Sequence, residues 1–244
     1  MKWFPKAAVG GLLWLSFSAF AFGNSLTITG QSQNVDDGGQ FTAYLSSNPS
    51  QQLYVYCVDF QNFTTFNNAY PVNISVPYID NSATVADTRY GTTPTADFAY
   101  DGTGPGALDA VQRYVLAAWL VTQYDFSSGV TTADDEIQNA IWTLLNTNSS
   151  AVFPGGAVAD TRTGTYLTQA ITWLNGETPT ALAQFESGIQ VFTSTDIANA
   201  TLPCRWTMGY QEMITVTMTP EPATLAMLGL GLLAVGLFRK KVKA

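Results

Sequence analysis

The chain has 244 residues, ten Lys and Arg against eighteen Asp and Glu, a formal charge of −8 and no histidine. Lacking histidine, it can build neither Ser-His-Asp nor Cys-His catalysis, and most zinc sites are closed to it. Between the terminal segments four arginines (Arg89, Arg113, Arg162, Arg205) face seventeen acids with no lysine, a net −13. Phosphates could not be neutralised, so no nucleic-acid partner is expected.

The first 23 residues read as a secretory signal peptide. Lys2 and Lys6 supply the positive start, Ala7 to Phe20 the apolar run, and Ala19-Phe20-Ala21 or Ala21-Phe22-Gly23 the small-x-small cleavage pattern. Residues 24–219 then form the body. Its aromatic and β-branched content argues against disorder, and its length suffices to bury a core.

The body opens in strands. Ser25 to Gly30 and Gln40 to Ser47 alternate apolar and polar residues, as half-buried strands do. In Gln51 to Phe60, Leu53, Val55, Cys57 and Asp59 share one face, and Tyr54, Tyr56, Val58 and Phe60 share the other. Both faces read as covered, which predicts a central strand. Asn73 to Ile79 predicts another. From Asp80 to Gly106 the composition shifts to Thr, Ser, Asp, Gly and Pro, and "DGTGPG" marks a loop. Exposed aromatics near it (Tyr78, Tyr90, Phe98) could stack on sugars, although core packing explains most aromatics in so aromatic a chain.

Helices follow. Ala107 to Tyr124 places Val111, Tyr114, Val115, Ala118 and Trp119 on one side. Thr131 to Asn146 starts with capping residues and acids that suit a helix N-terminus, and buries Ile137, Ile141, Leu144 and Leu145. Gly164 to Gly176 predicts a third helix, ended by glycine. Ile189 onward and Glu212 to Met218 return to strand patterning. Strands, then helices, then strands predict an α+β body.

The tail combines Pro220-Glu221-Pro222, an apolar stretch over 223–238, and the basic residues Arg239, Lys240, Lys241 and Lys243. Sixteen residues of helix reach about 24 Å, just short of a hydrocarbon core. The basic cluster would stay in the cytoplasm, giving one C-terminal transmembrane helix in the inner membrane. Residues 220–244 closely resemble the PEP-CTERM sorting signal of Gram-negative bacteria. That resemblance implies an exosortase-type processing enzyme as partner. It also implies a destination at the cell surface or in the extracellular matrix, among extracellular polysaccharide.

Two further stretches carry chemistry. Tyr56-Cys57-Val58-Asp59 on a strand and Ile137-Gln138-Asn139-Ala140-Ile141-Trp142 on a helix resemble the bacterial surface thioester domains. In that family the cysteine thiol and the glutamine carboxamide condense with loss of ammonia. The resulting electrophile captures surface amines or other nucleophiles. The resemblance implies Cys57 and Gln138 as the crosslink, with Tyr56, Asp59, Ala140, Ile141 and Trp142 as motif neighbours and a thioester-domain-like fold with a helical insertion. Ile137 stands where the family has threonine. Cys57 and Cys204 are also an even pair in a secreted chain, so a Cys57–Cys204 disulfide stabilising a structural or polysaccharide-binding matrix protein is the alternative, and two buried thiols are a third. Gln138 alone would be an ordinary solvated helix residue. Asp36-Asp37 and Asp134-Asp135-Glu136 lack EF-hand spacing and read as a turn and a helix N-terminus, so no metal is assigned. No local motif selects a carboxylate pair for glycoside hydrolysis. No cofactor and no enzymatic activity are expected.

Overall fold

A computed structural model describes residues 23–35, 38–59, 64–98, 100, 107–145, 161–195 and 210–217. Six antiparallel strands close a barrel in the order β1-β2-β3-β6-β5-β4. They are β1 (Ser25–Val35), β2 (Gly38–Leu45), β3 (Asn48–Cys57), β4 (Ala69–Ser75), β5 (Ile189–Ser194) and β6 (Met213–Val216). Four helices lie between β4 and β5: α1 (Ala110–Val121), α2 (Thr132–Leu145), α3 (Thr161–Gly176) and α4 (Pro179–Glu186). The expected order of strands, helices and strands is the observed one.

Alternation along each strand builds two cores. Leu26 and Ile28 of β1, Phe41 and Ala43 of β2, Val55 and Cys57 of β3, Tyr70 and Val72 of β4, Phe192 of β5 and Met213 of β6 pack together inside the barrel. Cross-strand pairing puts them in shared layers: Leu26 opposite Tyr70, Phe41 opposite Val55, Cys57 opposite Met213, Phe192 opposite Met213. The other face of β5 and β6, with Ile189, Val191 and Ile214, packs against the helices in a second core around Tyr114, Leu116, Leu120 and Ile141. One-residue steps of register are what separate these two environments. Bulges in β1, between Ile28 and Gly30 and between Gln31 and Gln33, add the bend that closure of a small barrel requires.

Closure is narrowest at β3 and β6, which pair only through Tyr56–Ile214 and Cys57–Met213. Cys57 therefore sits on the closing seam, with its side chain inside.

Several expectations change. The first half of β3 is exposed on both faces and Tyr54 is 50% exposed; only Val55 and Cys57 are buried, and the helices reach the outer face only near Tyr56. Tyr90 and Phe98 are core residues, and of the three loop aromatics only Tyr78 is exposed. β4 starts earlier than expected, because Tyr70 and Val72 already alternate inward in a segment that carries Pro71. α1 is buried nearly all round rather than along one stripe. α4 was not anticipated, although Thr178 accepts from Ala181 N as N-cap and Pro179 occupies the first turn.

Among the described residues no helix is long and apolar enough to cross a membrane. The signal peptide (1–22 of it), Asp36, Asp37, Cys204, Pro220-Glu221-Pro222, the apolar stretch 223–238 and the basic residues Arg239, Lys240, Lys241 and Lys243 lie outside the described residues.

Candidate functional site

Cys57 ends β3, and Gln138 stands on the second turn of α2. Both are fully buried, so Gln138 is not the solvated helix residue its type alone suggests. The two are in direct contact across 81 positions of sequence: Gln138 Nε2 donates to the Cys57 carbonyl at 3.0 Å. Gln138 Oε1 accepts from the Gly39 peptide N–H at 2.7 Å and from the Tyr124 hydroxyl at 3.0 Å. A peptide donor on one side and a peptide acceptor on the other leave one possible orientation for the carboxamide.

The remaining motif residues surround this contact. Trp142, one turn after Gln138, inserts from α2 into the barrel core beside Cys57. Ala140 and Ile141 hold the opposite side of α2 in the helical core. Tyr56 is half-buried, accepts from Gln40 Nε2 at 2.6 Å, and stacks on Tyr124 with ring centroids 5.5 Å apart. Phe126 also stacks with Tyr124, with ring centroids 5.0 Å apart. The three rings form a column beside the carboxamide.

The Cys57 thiol donates to the Asp59 carbonyl at 3.2 Å. It is a free thiol, and Cys204, its partner in the expected disulfide, lies outside the described residues. Burial pushes the thiol up to about 12, and Asp59 adds to the rise; hydrogen bonding by the Trp142 indole and the Asp59 backbone pulls the other way. Cys57 is thus a neutral thiol at physiological pH, and any reaction through it must find a place for its proton.

Behind Cys57 lies a polar hub. The Asp59 carboxylate is fully buried and paired with Arg89 at 2.6 Å, and Tyr90 donates to its other oxygen at 3.4 Å. Glu212, at the entry to β6, is also fully buried. It accepts from Tyr114 Oη (2.5 Å), Thr193 Oγ1 (2.5 Å) and the Arg89 peptide N–H (2.8 Å). Helix, strand and loop meet on this one carboxyl group, and through Arg89 it reaches the segment that positions the thiol.

Burial raises Glu212 to about 7, against the pull of its three donors. The folded value lies above the ordinary one, so the stabilisation is complete below about pH 4.5 and is lost as pH rises through about 7. That amounts to about 3 kcal/mol, from about 1.4 kcal/mol for each pH unit of displacement. Without histidine, few other groups titrate in this window. Urea unfolding of Glu212→Gln between pH 5 and pH 8 should show this slope abolished. A slope equal in both proteins would refute the assignment.

Motif reasoning reached Cys57, Gln138 and their neighbours but not Gly38, Gly39, Tyr124 or Glu212. The first two sat inside "VDDGG", read only as a turn. A Cβ on Gly38 would lie 2.8 Å from Trp142 Cζ2 and 2.9 Å from Gln138 Cδ and Oε1. Gly39 has φ +88°, where a side chain is strained, and its Cβ would lie 2.5 Å from the Gln33 carbonyl. Both glycines are the means by which backbone and carboxamide come this close.

The C-terminal segment is decided by comparison with known proteins. Residues 219–241 match the family model of the PEP-CTERM protein-sorting motif. The tail is a PEP-CTERM sorting signal. A PEP-CTERM signal marks its chain for export and exosortase processing, and for delivery to the cell surface or extracellular space in Gram-negative bacteria. No curated protein and no solved structure matches the chain.

Proposed function

We propose that the body of this PEP-CTERM protein is a thioester-domain-like module that forms an internal Cys57–Gln138 thioester and uses it for covalent attachment to nucleophiles at the cell surface or in the extracellular matrix. The observation that carries this reading is the buried contact itself. A glutamine carboxamide, fixed in one orientation by a peptide N–H, a phenol and the Cys57 carbonyl, lies against the residue that bears the thiol.

The chemistry balances without a cofactor. Cys57 Sγ attacks Gln138 Cδ, the Cδ–Nε2 bond breaks, and the thiol proton leaves on nitrogen as ammonia. With the thiol held neutral by burial, the departing nitrogen is the natural acceptor of that proton. Trp142 and the column of Tyr56, Tyr124 and Phe126 exclude water, which protects the acyl group from hydrolysis. The lysine-free body offers no ε-amine to intercept it.

Methylamine tests the proposal. The exported protein should take up one methylamine at Gln138 and release a titratable Cys57 thiol, and Cys57→Ala should take up none. Equal uptake by both would sink the reading.

A second reading, a non-catalytic polysaccharide-binding matrix protein, has its own support. A surface groove between α1 and α3 is lined by Trp119, Trp173, Gln123, Gln169, Thr172 and Glu177, an aromatic floor with amide and hydroxyl edges. Retention on the organism's own polysaccharide by a protein that takes up no methylamine would favour it.

A further inference from the structure

We propose that the Gly39 peptide N–H and the Tyr124 hydroxyl form an oxyanion hole for the acyl carbon of Gln138, which makes Tyr124 a catalytic residue both for closing the thioester and for its opening by an amine. The inference rests on the thioester reading and adds to it the groups that bear the transition-state charge.

When Cys57 Sγ adds to Gln138 Cδ, the carbonyl π pair moves onto Oε1. The tetrahedral intermediate then carries one negative charge on that atom. Two donors already converge there, at 2.7 and 3.0 Å, and neither needs to move to receive the charge. Collapse restores the C=O bond and expels nitrogen, which leaves as ammonia with the thiol proton. Opening runs through the same oxyanion: the amine adds to Cδ, the Cδ–Sγ bond breaks, and sulfur leaves as a thiol with a proton from the amine. One pair of donors serves both directions.

Three further features fit a catalytic donor better than a mere clamp on a buried amide. Burial, then the neighbouring Cys57 and Tyr56, holds the Tyr124 phenol well above its ordinary value, so it remains a donor at any physiological pH. Its ring stacks with both Tyr56 and Phe126, with interplanar angles of 10° and 20°, which restrains the phenol beside the carboxamide. The second donor is a backbone N–H at φ +88°, delivered by Gly39 with Gly38 clearing the space in front of it. Pre-set donors around one oxygen, one of them main-chain, are what acyl transfer requires.

The test uses the full exported chain and the rate at which methylamine is incorporated at Gln138. Tyr124→Phe keeps the stacked ring and removes only the donor. Its rate should fall about 100-fold, the usual effect of losing one oxyanion donor, with the melting temperature little changed. A second variant guards against a folding defect: 3-fluorotyrosine at position 124 retains the shape and is a stronger donor, so it should raise the rate. A purely structural role would leave the rate indifferent to fluorination. Unchanged rates in both variants, with the wild-type protein labelling normally, would overturn the oxyanion hole and leave the thioester standing. A wild-type protein that takes up no methylamine would remove the thioester reading, and this inference with it.

Discussion

Arg113→Met should destabilise the folded protein by about 4 kcal/mol, the largest single effect expected outside the barrel. The Arg113 guanidinium is fully buried and spends its donors on three carbonyls from separate segments: Leu108 (3.1 Å), Leu144 (2.8 Å) and Tyr100 (2.6 Å). It also lies 3.9 Å over the Phe98 ring. Leu144 is in the last turn of α2, where carbonyls have no partner within the helix. Methionine fills much of the volume but strands all three acceptors, at about 1–3 kcal/mol for each buried group left unsatisfied. The shape of the site also explains why lysine should not rescue it, since an ammonium cannot reproduce the planar fork. Urea unfolding gives the free energy directly. For a domain of this size the melting temperature should fall by roughly 8–16 °C. A loss below about 1 kcal/mol would mean that water reaches those carbonyls and that the helical core is loosely packed there.

Gly38→Ala should do less to stability and more to the site. The added methyl would meet Trp142 and Gln138 at 2.8 and 2.9 Å, so α2 must back away from the mouth of the barrel. Overpacking of this kind costs about 1–3 kcal/mol. A displacement of the carboxamide by even an ångström should slow methylamine uptake about 100-fold. Gly30→Ala is the natural comparison. Its Cβ would lie 3.6 Å from Thr42 Oγ1, an ordinary contact, and its effect on stability should stay within about 0.5 kcal/mol. Equal labelling rates in Gly38→Ala and Gly30→Ala would show that close approach at Gly38 does not set the geometry of Gln138.

Much of the secondary structure could be read from the sequence, because alternation and helical spacing reflect which side of each element is buried. The motif around Cys57 and Gln138 was legible for the same reason: its apolar neighbours Ile141 and Trp142 mark a buried helix face. Closure of the barrel was not legible. It depends on β3 meeting β6 through two residue pairs, Tyr56–Ile214 and Cys57–Met213, and no local pattern announces such a pairing. The donors to Gln138 were hidden for different reasons. Gly39 acts through its peptide N–H, which every non-proline residue possesses, and the signal was only the paired glycines of "VDDGG". Tyr124 is one of eleven tyrosines, and nothing in its sequence context separates it from those that pack. Glu212 carries no motif, since its partners Tyr114, Thr193 and Arg89 come from a helix, a strand and a loop. In each case a long-range contact, which no local pattern encodes, sets the residue's surroundings. α4 is the exception: Thr178 and Pro179 are a start signal present in the sequence, followed by a short apolar run.

The central claim is a covalent bond between Cys57 and Gln138, and intact mass under non-reducing conditions tests it most directly. The exported protein should weigh one ammonia less than its mature sequence, and Cys57→Ala should show no such deficit. A wild-type mass equal to that of the sequence, or short by two hydrogens and restored by reductant, would contradict the account. The second outcome would replace the thioester with a Cys57–Cys204 disulfide.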